Sequence, residues 1–143
     1  TYFSFTFVRD PIERLKSCWK MFFKSKNKFR NSQMKNLFKE KYHSIHNFES
    51  FVMHAIKTEN HHWEPYTRYL PIENHKVNLN FVGKFENINN DWDYIKDCLN
   101  ISDNLPHHNK TKKFQIKVSN TLKNIINDYY KDDYRILGYD QKK

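Results

Sequence analysis

The start of the chain combines a strand pattern with a helix start, and this junction constrains the fold more than any other feature. Residues 2–8 alternate aromatic and small side chains, which predicts a buried strand. Asp10 is suited to cap a helix, Pro11 to its first position, and Glu13 to close an Asp-x-x-Glu capping box. Helical spacing then places four apolar residues on one face: Ile12, Leu15, Trp19 and Phe22.

This junction is a candidate anion site. A strand that leads into a helix places free backbone N–H groups at the carboxyl edge of the strand, where α/β folds bind anions. Arg9 lies at the junction, and Ser17 lies about two turns into the helix. The residues alone leave two interpretations open, a phosphate-binding arginine or a solvated arginine beside an ordinary helix cap.

A second strand-and-helix unit follows later in the chain. Residues 79–85 have the pattern of a buried strand, Glu86 ends it, and a helix with Trp92, Ile95 and Leu99 comes next. Residues 47–57, with Asn47 as cap, and the segment after Ser119 are predicted helices as well. Strand, helices, strand, helix is the order of a parallel α/β sheet, so we predict an α/β domain that spans residues 1–143.

Composition favours an anionic partner and excludes several classes of protein. The 143 residues carry a net charge of +9, with 25 basic and 16 acidic residues. No apolar run approaches the ~20 residues that span a bilayer, and no nucleic-acid recognition motif accompanies the charge. Gly83 and Gly138 lie in no phosphate-cradling loop and no Walker-type sequence is present, so nothing indicates a nucleoside triphosphatase. Because Thr1 already lies in the strand pattern, we expect further chain upstream.

Residues 20–41 are strongly basic and contain a single acid, Glu40. One interpretation is a surface for a polyanionic acceptor chain, and the other is a solvated helix-and-loop face. The basic residues are Lys20, Lys24, Lys26, Lys28, Arg30, Lys35, Lys39 and Lys41.

The histidines do not predict a metal centre. His61 and His62 are adjacent, but neighbouring side chains rarely converge on one ion, and zinc needs three or four ligands. The remaining histidines are scattered without ligand spacing, so we expect no metal.

Residues 5–17 resemble the 3′-phosphate-binding motif of sulfotransferases, most closely that of the membrane-bound carbohydrate group, such as chondroitin 4-O- and heparan sulfate 2-O-sulfotransferases. The resemblance implies a P-loop-like fold and 3′-phosphoadenosine 5′-phosphosulfate (PAPS) as sulfate donor. It assigns Arg9 and Ser17 to the 3′-phosphate, roles that suit a guanidinium fork and a small hydroxyl. Residues 81–87 resemble the family's next strand, which places Phe85 against the adenine; the alternative is a core phenylalanine.

Two further segments resemble the same family. His62, Trp63 and Pro65 match its His-Trp-x-Pro segment, although the paired cysteines that follow in the family are absent here. A basic loop before the last helix closes over the 3′-phosphate in the family, and this implies donor-binding roles for Lys110, Thr111 and Lys112.

The resemblance implies transfer of a sulfuryl group from PAPS to a hydroxyl of a carbohydrate or glycan acceptor. His62 is the candidate base for the acceptor's proton, because histidine titrates near neutral pH. The family's 5′-phosphosulfate loop, with its lysine, is expected upstream of Thr1, which makes this portion of the fold incomplete at its N-terminus. For a eukaryotic protein we expect the Golgi lumen and an upstream membrane anchor. The alternative is a non-enzymatic module that binds polyanions or nucleotides.

Overall fold

Two parallel strands bring the predicted junctions together. The computed structural model describes residues 2–24, 28–106 and 115–142. Strands β1 (Phe5–Val8) and β4 (Phe81–Lys84) pair in parallel, with Phe5 opposite Phe81 and Val8 opposite Lys84. The parallel pairing is confirmed, but both strands are shorter than predicted. At their amino ends, Ser4 donates from its N–H and hydroxyl to the Asn80 side chain at 2.8 Å, so side chains continue the contact where the ladder stops.

The rest of the described chain consists of a short hairpin and several helices. In the hairpin, a two-residue turn at Asn74 and His75, both with positive φ, joins the antiparallel strands β2 (Ile72–Glu73) and β3 (Lys76–Val77). The helices are α1 (Pro11–Phe23), α2 (Lys28–Phe38), α3 (Phe48–Ala55), α4 (Ile88–Leu99), α5 (Asn120–Tyr129) and α6 (Lys131–Leu137). The described part is therefore a mixed fold of helices and a small parallel sheet.

The start of α1 is only partly as predicted. Asp10 caps the helix by accepting from the N–H of Glu13 at 3.1 Å, and Pro11 is its first residue. The predicted capping box is wrong in its second half. The Glu13 carboxylate pairs with Lys16 at 2.8 Å, whereas the N–H of Asp10 donates to Glu86 from beyond β4. The Glu86 carboxylate thus accepts the hydrogen bond expected for Glu13, and this bond links the carboxyl ends of β1 and β4.

The core is aromatic and lies between α1, α2, α3 and α5. Trp63 is fully buried in it, stacked on Phe38 and edge-on to Phe51. Its indole N–H donates to the carbonyl oxygens of Ala55 and Thr58, so the ring is buried without an unsatisfied donor. The segment around Trp63 is thereby anchored in the centre of the core.

Helix α2 was not predicted as a distinct element, because its sequence is mostly polar. Only Met34 and Phe38 of α2 are buried. The predicted helices at residues 47–57 and after Ser119 are confirmed, each capped by the expected side chain. None of the described helices has the length and apolar character needed to cross a bilayer.

Candidate functional site

Arg9 and Phe85 meet at the carboxyl edge of the parallel strands. Val8 and Lys84 are opposite each other in the ladder, so the next residue of each strand leaves the sheet at the same edge. The Arg9 guanidinium carbon lies 4.6 Å from the centroid of the Phe85 ring, a cation–π contact. Phe85 is 47% exposed, so it is not a core phenylalanine. The structure thus brings together two residues that sequence analysis assigned to one site.

The Arg9 guanidinium has unused hydrogen-bonding capacity. Its Nε atom is buried and has no hydrogen-bond partner within the described residues. No ion pair links Arg9 to an acid in that part of the chain. A buried donor without an acceptor is unfavourable by about 1–3 kcal/mol. An anionic ligand that accepted from this nitrogen would remove that penalty.

The two carboxylates beside Arg9 in the fold are engaged elsewhere. Asp10 caps α1 and lies 3.3 Å from the amino group of Lys142. Glu86 accepts from the N–H of Asp10 and from the hydroxyl of Tyr139, both at 2.8 Å. These acids therefore fasten the junction without neutralising Arg9.

The start of α1 offers an anion fewer free N–H groups than an uncapped helix would. Pro11 has no N–H, and the N–H of Glu13 is already bonded to Asp10. The Asp10 carboxylate itself occupies the positive end of the helix dipole. At this junction the Arg9 side chain is therefore better suited to an anion than the capped helix N-terminus.

The C-terminal segment closes over the same edge of the sheet. Lys84 donates from its amino group to the carbonyl oxygen of Gly138 at 2.6 Å and lies over the Tyr139 ring at 4.5 Å. Burial and the hydrogen bond to Glu86 raise the pKa of Tyr139, so its hydroxyl stays protonated and donating. The carboxyl end of β4 is therefore fixed in place by residues from the end of the chain.

Ser17 lies in the second turn of α1 and is half-buried. It lies six positions after Pro11, which corresponds to about 9 Å along the helix axis. No contact of its hydroxyl with Arg9 or Phe85 is found among the described residues, so its phosphate-binding role stays a prediction. Lys110, Thr111 and Lys112 lie outside the described residues.

The imidazole of His62 lies away from the Arg9–Phe85 pair along α1. It packs edge-on against Phe22 with ring centroids 4.9 Å apart. Phe22 is near the end of α1, about 16 Å along the axis from Pro11. Burial first, and then electrostatic interactions with His61, Arg14 and Arg30, lower the pKa of His62, so the ring is neutral at pH 7. A neutral imidazole can accept a proton, but the role of His62 as base stays a prediction.

Arg14 is the residue that sequence reasoning missed. It is buried and donates to the carbonyl oxygens of His61, His62 and Glu64 at 2.8–3.0 Å. It also donates to the Tyr69 hydroxyl at 2.9 Å. All these acceptors belong to one segment of the chain, which Arg14 thereby holds against α1.

Asp133 of α6 holds the same segment from the other side. It is fully buried and accepts from the N–H groups of Tyr66 and Thr67, each at 2.9 Å, and from the Thr67 hydroxyl. The sequence did contain a signal for both residues. Arg14 and Asp133 interrupt apolar stripes at helical spacing, the position where a charged side chain is buried and must find partners.

Within residues 2–24, 28–106 and 115–142, no group of three or more His, Cys, Asp or Glu side chains is arranged to hold a metal ion. The arrangement at the sheet edge is instead suited to an organic anion with an aromatic part. A guanidinium provides the charge, and an exposed phenyl ring provides the flat surface.

Comparison with known proteins agrees with this geometry. The model of the sulfotransferase family matches residues 1–140, nearly the whole chain. No curated protein and no solved structure matches significantly. Since the family match extends over almost every residue, including both strand ends and Arg9, the chain belongs to the sulfotransferase family.

Proposed function

We propose that this protein transfers a sulfuryl group from PAPS to a hydroxyl group of a carbohydrate acceptor, on a P-loop-like sulfotransferase domain. Membership of the family supports sulfuryl transfer in general. The observation that carries the choice of donor is the Arg9 guanidinium, stacked on Phe85 with its Nε unpartnered in the described chain.

The pair suits the two ends of an adenosine 3′-phosphate. A phosphate accepts charge-assisted hydrogen bonds from a guanidinium, which are about twice as strong as neutral ones. Arg9 covers part of the Phe85 ring, and nearly half of that side chain remains exposed for contact with a purine. The contact with Phe85 holds the Arg9 guanidinium in place, so little side-chain entropy is lost on binding.

The remaining site residues complete the proposal. Ser17 adds a hydroxyl donor to the 3′-phosphate, and Lys110, Thr111 and Lys112 close over it. His62 takes the proton of the acceptor hydroxyl. The 5′-phosphosulfate is held by an upstream loop with a lysine, and in a eukaryote the protein acts in the Golgi lumen behind an upstream membrane anchor.

The reaction is a displacement at sulfur. The acceptor oxygen forms a bond to sulfur, the bond from sulfur to the phosphate oxygen breaks, and the acceptor's proton passes to the base. PAPS supplies the activated sulfuryl group, and adenosine 3′,5′-bisphosphate leaves. Catalysis by positioning and by stabilising charge on the sulfuryl oxygens fits such a transfer.

Calorimetric titration of the full-length protein with adenosine 3′,5′-bisphosphate tests the donor assignment. Arg9→Ala should weaken binding by about 10- to 100-fold, the range for losing a hydrogen bond to a charged group. The same variant should bind adenosine 5′-monophosphate almost as the parent does, because that nucleotide lacks the 3′-phosphate. Arg68→Ala is the matched control, since Arg68 also lies over an aromatic ring, that of Tyr129, but far along the chain.

Unchanged affinity of Arg9→Ala for the bisphosphate would contradict the 3′-phosphate assignment. Turnover is tested separately, with labelled PAPS and a mixture of glycan acceptors. Nucleotide binding without sulfuryl transfer to any of them would favour the alternative, a nucleotide-binding module.

A further inference from the structure

A cleft outside the Arg9–Phe85 pair lies between α2 and the turn at residues 60–62. Its volume is about 410 Å³. One wall consists of Gln33, Met34, Asn36 and Leu37 of α2, and the turn forms the other. This volume is within the range of ligand pockets, and nothing in the proposed donor site uses it.

The described residues that line the cleft include no lysine, arginine, aspartate or glutamate, in a chain that carries a net charge of +9. Its polar groups are the side-chain amides of Gln33, Asn36 and Asn60 and the imidazoles of His61 and His62. Each amide offers donors and acceptors together. The charge of Arg30 helps to lower the pKa of His62, but Arg30 does not line the cleft.

Hydrogen bonds hold the turn side of the cleft in place. The carbonyl oxygens of His61 and His62 accept from Arg14, and that of His62 also accepts from the Cys18 thiol. The Asn60 side chain accepts from the N–H of His62 at 3.0 Å. A wall fixed in this way loses little conformational entropy when it binds.

The helix side adds an apolar surface. Met34 is buried and anchors α2 in the core, and Leu37 is half-buried beside it. A pyranose ring has an apolar face of C–H groups and a rim of hydroxyls that both donate and accept. Amides and imidazoles around an apolar floor match that pattern, whereas a sulfate, phosphate or carboxylate would meet no lysine or arginine among the described lining residues.

We propose that this cleft binds an uncharged pyranose unit of the acceptor through the amides of Gln33, Asn36 and Asn60. The proposal rests on the proposed function, because it assigns a place and a chemical class to the carbohydrate acceptor. It also separates acceptor recognition from the described basic residues of segment 20–41, none of which is among the described residues that line the cleft.

Nuclear magnetic resonance of the full-length protein, labelled with ¹⁵N, tests the proposal. The probes are neutral tetrasaccharides of glucose, of galactose and of N-acetylglucosamine, with tetragalacturonate as the anionic probe. At least one neutral probe should shift the side-chain NH₂ signals of Gln33, Asn36 and Asn60 together. The variant Gln33→Ala/Asn36→Ala should weaken that binding about tenfold, as expected for two lost hydrogen bonds.

Asn89→Ala is the matched control, because Asn89 is an exposed amide on α4 outside the cleft. It should leave saccharide binding unchanged, and the double variant should leave the affinity for adenosine 3′,5′-bisphosphate unchanged. Both results support the proposal, and the second also shows that the double variant is folded.

The cleft proposal is overturned if no neutral probe shifts these amides, or if only tetragalacturonate does. It is also overturned if the double variant binds the neutral probe as tightly as the parent. These failures are distinct from failure of the proposed function, which appears as loss of nucleotide binding or of sulfuryl transfer. Neutral-saccharide binding to these amides without any nucleotide binding would support the cleft and contradict the sulfotransferase mechanism.

Discussion

Arg9 precedes the start of α1 and Arg14 lies in its first turn, and their guanidinium groups differ in how many hydrogen-bond acceptors surround them. Arg14 donates to three backbone carbonyl oxygens and a tyrosine hydroxyl, and its guanidinium lies 3.9 Å from the centre of the Tyr66 ring. Arg9 lies on the half-exposed ring of Phe85, and its Nε has no partner in the described chain. The difference is therefore in hydrogen-bond saturation and not in residue type.

Saturation decides what each arginine can do. A ligand that approached Arg14 would have to replace acceptors that already satisfy a buried charge, which is unfavourable. A ligand that approached Arg9 would supply an acceptor that the described chain does not. We therefore assign Arg14 to the fold and Arg9 to binding, although both lie in the same short segment of sequence.

The buried carboxylate of Asp133 has surroundings similar to those of the Arg14 guanidinium. Like Arg14, it is buried and its partners are groups of residues 61–69, not an opposite charge. No ion pair joins Arg14 to Asp133 among the described residues. Two buried charges thus hold one segment through its polar groups, and the segment carries His61 and His62 into the cleft.

The largest effect is expected for Arg14→Ala. Removing this side chain leaves three carbonyl oxygens without their donor, and we expect the free energy of unfolding to fall by about 3 kcal/mol or more. Urea denaturation followed by circular dichroism measures it. Arg135→Ala is the control, since Arg135 is exposed and pairs with the exposed Asp132, so its loss should change stability by less than about 0.5 kcal/mol. Equal losses in the two variants would contradict the saturation argument.

A smaller, pH-dependent effect is expected from Cys18, which donates to the same His62 carbonyl oxygen as Arg14. Burial raises the pKa of Cys18 from about 9 to about 11, against the opposing charges of Arg14 and Arg9. The folded chain therefore holds the thiol proton more tightly than the unfolded chain. This stabilisation is complete below pH 9 and is lost as the pH rises to 11.

Denaturation of the parent and of Cys18→Ala from pH 7 to 11 tests this effect. Between pH 9 and 11 the parent should lose about 2–3 kcal/mol more than the variant, which lacks the thiol. The comparison cancels the tyrosines that titrate in both proteins. Parallel curves over this range would mean that the Cys18 thiol is not held in a buried, neutral state beside Arg14.

The sequence predicted the local elements well because their signals are local. The alternation of residues 2–8, the caps Asp10, Asn47 and Ser119, and the parallel order of the strands all follow from short patterns. Helix α2 and the β2–β3 hairpin were not predicted. Their sequences are mostly polar, and contacts with the rest of the fold stabilise them more than their own periodicity does.

The parts of the site that depend on strand order could be predicted from the sequence. The parts that depend on hydrogen bonds between distant residues could not. Parallel strands place Arg9 and Phe85 at one edge, so their meeting follows from topology. That the Asp10 N–H donates to Glu86, and not to Glu13 as predicted, does not follow from topology. It depends on a residue far along the chain. Arg14 lies in the same motif as Arg9, and only its contacts show that its role is structural.

The smallest effect is expected for the stability of Arg9→Ala without ligand. Losing the contact with Phe85 removes about 0.5–1 kcal/mol, and losing the buried, unpartnered Nε recovers a similar amount. The free energy of unfolding should therefore change by less than about 1 kcal/mol. The difference between the proteins should appear on adding adenosine 3′,5′-bisphosphate, which should raise the melting temperature of the parent and barely that of the variant. A loss as large as that of Arg14→Ala would mean that Arg9 is saturated by the chain itself, with its acceptor outside the described residues, and would remove the distinction between the two arginines.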